Sequence, residues 1–363
     1  MSAAAPPPPF GRFFLPGPTD VHPDVLAAML RPMIGHRGKE MEAILAGMAP
    51  RLGSIFRTHR PVLVGSNSAT GFMEMAIRNG ARRRVLSVVN GAFSDRFADI
   101  AARCGRDVVR LELPLGSALE PDRLRDALKR SQVDAVTLVH SETSTGALAP
   151  LADLAPVVHE FPDVMLLVDA VTSVAGSPVE TDAWNLDFVL TGSQKALALP
   201  PGLALGVASD RMIERSKTIP GRGLYFDLPA FIEATAKNAP TNTPALSLFF
   251  ALDVQLKRIE AEGGVEARWA RHDAMRQTVE RWSADREIEF VPVQGRRSWT
   301  VSCLKLPAGK TAKDIVGALK KQGWVIGSGY GPLKDSTIRI GHMGDHTVTG
   351  LRDLLKVLEG ALA

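Results

Sequence analysis

Asp187-Phe188-Val189-Leu190-Thr191-Gly192-Ser193-Gln194-Lys195-Ala196-Leu197-Ala198-Leu199 runs from a short apolar strand through a polar turn to one lysine among small and apolar residues. A lysine amine taken out of water loses proton affinity and becomes a nucleophile able to form an imine. A surface lysine would bring polar neighbours, and the C-terminal side of Lys195 has none. In open parallel sheets, ligands bind outside the carboxyl ends of the strands, where this lysine would stand.

Similar apolar runs flank it on both sides. Val62-Leu63-Val64, Val85 to Val89, Val108 to Leu113, Ala135 to Val139, Val164 to Val168 and Leu203 to Ala208 alternate with helical patterns at Phe72 to Ile77, Phe93 to Arg103, Pro121 to Lys129 and Leu151 to His159. Short apolar runs separated by helices predict a mostly parallel sheet covered on both faces. From Pro244 to Glu262, Leu246, Phe249, Phe250, Val254, Leu256 and Ile259 recur near helical spacing until Gly263-Gly264, and a second helix is predicted over Val265 to Trp282. Beyond Arg286 the pattern reads strand (Glu287 to Val291), strand (Trp299 to Leu306), helix (Ala312 to Gln322), strand (Trp324 to Ile326), strand (Thr337 to Ile340) and helix (Thr347 to Glu359). That is a smaller α+β domain, joined to the first by the long helix.

Composition narrows the class. At 363 residues with 45% apolar content, two domains are expected. The net charge is +4, and the densest basic cluster, Arg82-Arg83-Arg84, suits a solvated helix end better than nucleic acid. Cys104 and Cys303 are the only cysteines, which excludes a disulfide framework and suits a reducing compartment. Met1 to Pro9 is rich in alanine and proline and has neither the basic start nor the apolar core of a secretory signal. No run of eighteen apolar residues occurs, so no membrane helix is expected. The expectation is a cytoplasmic enzyme with no nucleic-acid partner, no membrane contact and no metal.

The loops after the strands carry the chemistry. Ser68-Ala69-Thr70 lies between a strand and a helix, where backbone N–H groups and two hydroxyls can meet a phosphate; it also suits an ordinary helix cap. Asp169 ends Val164-Met165-Leu166-Leu167-Val168-Asp169, and a charge there needs a partner such as a protonated pyridine nitrogen, or else a cap or loop ion pair. Arg339, in Thr337-Ile338-Arg339-Ile340-Gly341, suits a two-pronged carboxylate clamp or an edge-strand arginine facing water. Arg37, in Gly35-His36-Arg37-Gly38, can bind a second carboxylate or cap a helix.

Taken in order, Ser141-Glu142-Thr143-Ser144-Thr145-Gly146, Val168-Asp169-Ala170-Val171-Thr172-Ser173, Gly192-Ser193-Gln194-Lys195-Ala196-Leu197 and Pro200-Pro201-Gly202 resemble the class V aminotransferases, most of all the alanine–glyoxylate and serine–pyruvate aminotransferases. Leu15-Pro16-Gly17-Pro18-Thr19 and Arg339-Ile340-Gly341 also match, so the resemblance covers the chain from about Phe14 onward. It implies a fold-type I pyridoxal 5'-phosphate (PLP) enzyme. The expected layout is a flexible tail over 1–13, a large PLP-binding domain with an N-terminal arm over 14–255, built on a mostly parallel seven-stranded sheet, and a small C-terminal α+β domain over 256–363. Lys195 would be the Schiff-base lysine and proton shuttle. Asp169 would bind the pyridine nitrogen, with Val171 against the ring and Phe93 on its other face. Ser68, Ala69, Thr70 and Gln194 would hold the phosphate, and Thr143 would bond the ring-hydroxyl region. In a homodimer with shared sites, Thr243 would reach the phosphate of the partner subunit. Arg339 would take the substrate α-carboxylate, and Gly17 would lie near the substrate. The implied reaction is ping-pong transamination between an alanine- or serine-type donor and glyoxylate or pyruvate.

This chain departs from the family in three places. Phe93 stands where many relatives have Trp, Thr70 where some have His, and Pro240 where many have Tyr. Rival readings within the fold are a 2-aminoethylphosphonate aminotransferase and a class V PLP lyase of the cysteine-desulfurase kind. The lyase needs a cysteine on a mobile loop and commonly has His before the lysine; here Gln194 precedes it, and Cys303 falls within the run Val301 to Leu304. A nucleotide-dependent oxidoreductase would need a Gly-x-Gly-x-x-Gly turn, and none follows Val64 or Val89.

Overall fold

The computed structural model describes residues 9–362. The tail expected over 1–13 therefore lies outside the described residues up to position 8. Seven strands form the large sheet in the order Val62–Gly65, Ala204–Ala208, Phe188–Gly192, Met165–Asp169, Ala135–Val139, Arg84–Val89 and Asp107–Glu112. Only Ala204–Ala208 runs antiparallel to its neighbours. The parallel strands end together at one edge: Val139 pairs in register with Asp169, and Asp169 with Leu190.

The strands read as continuous apolar runs because both faces are covered. Leu166 and Val168 point into a core closed by the helices Lys39–Phe56, Leu151–His159 and Leu246–Ala261. Met165 and Leu167 point the other way, toward Ala69–Gly80, Ala92–Arg103 and Asp210–Thr218. Local chemistry starts several of these helices: Ser209 accepts the Met212 N–H at 3.1 Å, and Asp227 accepts the Ala230 N–H at 3.2 Å.

The smaller sheet has the order Phe13–Phe14, Val325–Ser328, Thr337–Gly341 and Val301–Lys305. It packs against Gly264–Ala284, Ala312–Lys321 and Val348–Leu362 through Met275, Ile315, Leu319 and Leu354. Its first strand corrects the expected boundary. Phe13 belongs to a strand rather than a tail, and Phe14 to the smaller sheet rather than to the large domain's arm. The cause is tertiary: Phe14 is fully buried, stacked on His346 with ring centroids 3.9 Å apart and 6.1 Å from Trp324. The arm then passes over Gly341, where a Cβ would overlap the Leu15 carbonyl.

Two further differences have local causes. The strand expected over Glu287 to Val291 is reduced to one bridge between Phe290 and Leu304, since Glu287 has a left-handed φ of 54° and Pro292 cannot donate to a ladder. The helix Lys39–Phe56, interrupted in pattern by Gly47, Pro50 and Gly53, is recognisable only once its Met41, Met48 and Leu52 meet the core.

Phe14→Ala removes a wholly buried ring and is expected to cost about 3–5 kcal/mol. Urea unfolding followed by tryptophan fluorescence reads it; a loss below about 1 kcal/mol would show that the arm is not integral to the smaller core.

Candidate active site

Lys195 is 6% exposed, at the strand-end edge of the large sheet. Its Nζ donates to the Pro16 carbonyl and stands 5.8 Å from the centroid of the Phe93 ring. Burial pulls its pKa down to about 7, with the Arg339 charge adding to the shift; Asp169 and Glu142 oppose it. Gly17 has φ +125° and lies so close that a Cβ would sit 2.6 Å from Nζ, so only glycine fits both the backbone and the lysine.

Asp169 is 3% exposed and is the last residue of its strand. Its Oδ1 accepts the Val171 N–H at 2.8 Å. Burial pushes its carboxyl up to about 7; Val171 and Lys195 act against the shift, and the nearby Glu142 adds to it. A buried acid and a buried amine thus face one space, each driven toward its neutral form by lost hydration.

Thr143 joins this centre to the smaller domain. Its hydroxyl shares a 2.6 Å hydrogen bond with Thr172, and its carbonyl accepts from Arg339 Nη1 at 3.2 Å. Arg339 Nε donates to the Ser328 carbonyl at 2.9 Å. These bonds aim the guanidinium while Nη2 takes part in neither. Tyr330 completes this wall: its ring centroid lies 5.6 Å from the Arg339 guanidinium and 6.0 Å from Phe93.

Glu142 was part of a quoted motif but had no assigned role. It is fully buried, and its carboxylate accepts N–H groups from Phe93 (3.2 Å), Ser94 (3.0 Å) and Ser144 (3.1 Å), and the Ser144 hydroxyl at 2.6 Å. It thereby caps the helix Ala92–Arg103 and sets the Phe93 ring at the site. An acid in a loop of hydroxyl residues was its one sequence signal. For Tyr330 the signal was a tyrosine between two glycines, one of only 2 tyrosines in the chain.

The third side of the site is built for an anion. Ser68 is the N-cap of Ala69–Gly80 with no side-chain cap bond, and no acidic residue occupies the first turn. Ser68 and Thr70 are exposed while Ala69 is buried. Gly192 brings the lysine-bearing loop against this helix end: a Cβ on it would lie 3.2 Å from Ala69 Cβ and 2.6 Å from Gln194 Oε1. Both amide atoms of Asn67 are buried without a partner. Free N–H groups, two hydroxyls and the Gln194 amide there fit a phosphate. Thr243 is exposed and lines a narrow cleft with Ser66, Asn67 and Tyr225. Arg37 is exposed, and among the described residues no hydrogen bond or ion pair joins it to Lys195, Asp169 or Arg339. Among the described residues no group of His, Cys, Asp or Glu is placed to hold a metal, and no helix is long and apolar enough to cross a membrane.

The Lys195 amine is expected to be mostly uncharged above about pH 7, whereas ordinary lysines stay charged to about pH 10. Labelling the cofactor-free protein with formaldehyde and a mild reductant tests this. Modification of Lys195, mapped by mass spectrometry, should level off by about pH 8 while surface lysines are still rising. A Lys195 profile parallel to theirs would contradict the burial effect. Because its folded pKa lies below the unfolded value, the unfolded chain binds more protons between them, so Lys195 favours folding increasingly as pH rises from about 7 toward 10.

The family model for "Aminotransferase class-V" matches residues 64–340. An uncharacterized aminotransferase of Methanocaldococcus jannaschii is 36% identical over 95% of this chain and 90% of its own length. An L-aspartate–glyoxylate aminotransferase of Paracoccus denitrificans is 31% identical over 92% and 86%. The crystal structure of an alanine–glyoxylate aminotransferase from Nostoc sp. superposes with a TM-score of 0.93 at 29% identity, covering 100% of this chain and 97% of that one. The sheet order, the strand-end lysine and these likenesses lead to one conclusion: the chain belongs to the class V aminotransferases.

Proposed function

We propose that this aminotransferase moves the amino group of a small α-amino acid, of the alanine or serine type, to glyoxylate or pyruvate in two alternating half-reactions on PLP. The observation that carries the reading is that buried Lys195 feels the charges of both Asp169 and Arg339, with the arginine supplied by the smaller domain and held by the Thr143 carbonyl. The buried Asp169 and the uncapped helix end at Ser68 fit the two ends of PLP, a ring nitrogen and a phosphate. Ser68, Ala69, Thr70 and Gln194 would hold the phosphate, Asp169 the ring nitrogen, Thr143 the ring-hydroxyl side, and Val171 and Phe93 the two ring faces. When bound, PLP supplies the carbonyl that takes up the amino group and a ring that spreads the charge left on the substrate carbon. Lys195 Nζ would carry the cofactor at rest and would move the proton at the substrate α-carbon, which its lowered pKa suits at neutral pH. Arg339 binds the α-carboxylate in two parallel hydrogen bonds and so orients that carbon. The rings of Phe93 and Tyr330, 6.0 Å apart, narrow the space beside Arg339 and favour a small side chain. Relatives named for alanine, serine or aspartate as donor share glyoxylate as acceptor, which supports that choice of acceptor.

A panel of amino acids tests the reading, each mixed with PLP-loaded protein and followed by the change in cofactor absorbance. Alanine or serine should convert the cofactor, and glyoxylate or pyruvate should restore it. Conversion by 2-aminoethylphosphonate without any α-amino acid would overturn it. Arg339→Ala should lower kcat/KM for α-amino acids by at least about tenfold, with Arg339→Lys between it and the parent, because an ammonium offers one point charge where the guanidinium offers a fork.

The same reading includes a homodimer in which Thr243 serves the phosphate of the other subunit. Its support is the exposure of Thr243 and an apolar cleft of about 880 Å³ between the Lys39–Phe56 helix and residues 235–240, beside the Thr243 cleft. Hybrids of a Lys195→Ala subunit with a Thr243→Ala subunit should regain activity, since one site in each becomes whole. Hybrid dimers that form without any rescue would assign each site to a single chain.

A further inference from the structure

The residue after Lys195 is held by a buried ionic cluster. Arg268, on the Gly264–Ala284 helix, is 1% exposed. Its Nε and Nη2 both donate to the Ala196 carbonyl, at 3.1 and 2.7 Å. Its Nη1 pairs with Glu262 at 3.0 Å and with Asp345 at 2.9 Å. Asp345 also accepts from Gln255 at 3.2 Å. Glu262 is gripped in turn by Arg271 at 2.6 Å, and Arg271 donates to the carbonyls of Gly344 (2.9 Å) and His346. His272 closes the cluster. It lies 2.6 Å from the Arg268 carbonyl through Nδ1 and accepts the Gly344 N–H at 3.0 Å through Nε2, so it is a neutral ring with its proton on Nδ1.

An arginine buried this deeply is costly to desolvate, and an apolar side chain would fill the space more cheaply. Here two of its donors converge on one carbonyl, one residue beyond the lysine. The turn they hold is strained: Ala198 has a left-handed φ of 53°. The turn is closed within itself by the Ala198 N–H on the Lys195 carbonyl at 2.8 Å and the Leu199 N–H on the Ser193 carbonyl at 3.0 Å, and Arg268 ties it from outside. Gly344 and Asp345 lie just beyond the strand that carries Arg339, so the cluster joins the backbone of Lys195 to the backbone of the Arg339 arm.

We propose that Arg268 is a positioning residue: by clamping the Ala196 carbonyl it fixes the peptide on which Lys195 stands and sets the lysine amine relative to Arg339. The inference rests on Lys195 being the cofactor-bearing lysine. Arg268→Met, Arg268→Lys and Glu262→Gln holoenzymes test it by donor kcat and KM, by the visible circular dichroism of bound PLP, which reports a fixed ring orientation, and by thermal midpoint. In Arg268→Met, kcat should fall about tenfold to a hundredfold while KM stays within about twofold, and the visible dichroism should weaken. Arg268→Lys should restore part of both, because an ammonium can make one of the two bonds. A folded Arg268→Met with unchanged kcat and dichroism would overturn the proposal, even with a lower midpoint, since that is the behaviour of a merely structural ion pair. If Arg268→Met does not fold, Glu262→Gln decides: it leaves Arg268 in place but loosens its anchor, and should lower kcat about twofold to fivefold with weaker dichroism. No change in either would overturn the proposal. Borohydride reduction of the parent holoenzyme separates the premise from the inference. Label on another lysine overturns both, whereas label on Lys195 with unaltered variants overturns only the role of Arg268.

Discussion

The charged form of a lysine amine at 6% exposure is penalised because water no longer solvates it, and much of this structure is organised around that penalty. Lys195 meets a backbone carbonyl at Pro16, the face of Phe93 and the glycine backbone at position 17. They come from two distant parts of the chain: Pro16 and Gly17 from the N-terminal arm, and Phe93 from the first turn of the Ala92–Arg103 helix. The amine can be kept dry only if both are in place. Arg339 approaches from the smaller domain, so the electrostatics of the amine also depend on how the domains meet.

The N-terminal arm makes that dependence mechanical. Phe13 and Phe14 extend the smaller sheet beside Val325 and Ile326, and three residues later Gly17 touches Lys195. A displacement of the smaller sheet therefore reaches the amine by two routes, the arm and the loop beyond Arg339. The strand-end edge of the large sheet, in contrast, is rigid. Asp169 and Leu190 sit in register on adjacent parallel strands buried on both faces, so the acid and the lysine loop keep their spacing.

Polar groups in the site are held mostly by backbone. Glu142 is satisfied by N–H groups of a helix start, Arg339 by two carbonyls, and Asp169 by the Val171 N–H. Backbone partners are fixed by the fold and have no rotamers of their own to lose, which suits a centre where small displacements cost rate. The start of the Ala69–Gly80 helix differs in being open, with exposed hydroxyls at Ser68 and Thr70 and no side-chain cap bond.

The large sheet was legible in the chain because each strand is an apolar run buried on both faces, and the alternation of such runs with helices allows few topologies. Asp169 was legible as a charge ending an apolar run, and Lys195 as a charge that follows a polar strand-end turn and precedes only small and apolar residues. The order of family motifs added the roles expected of Phe93, Thr143 and Arg339. Sequence could not place Phe14 on the smaller sheet, give Glu142 its role as a helix cap, bring Tyr330 beside Arg339 or set Arg268 against Ala196. Arg268 and Ala196 are 72 positions apart, and Arg339 and Thr143 are 196 apart. Local pattern reports what a segment buries; it does not report what the segment is buried against. Where neighbouring residues share one strand or turn, the amino-acid order determined the chemistry on offer. Which distant backbone carbonyl or ring each side chain would meet was decided by the packing of two sheets and an N-terminal arm around one buried amine.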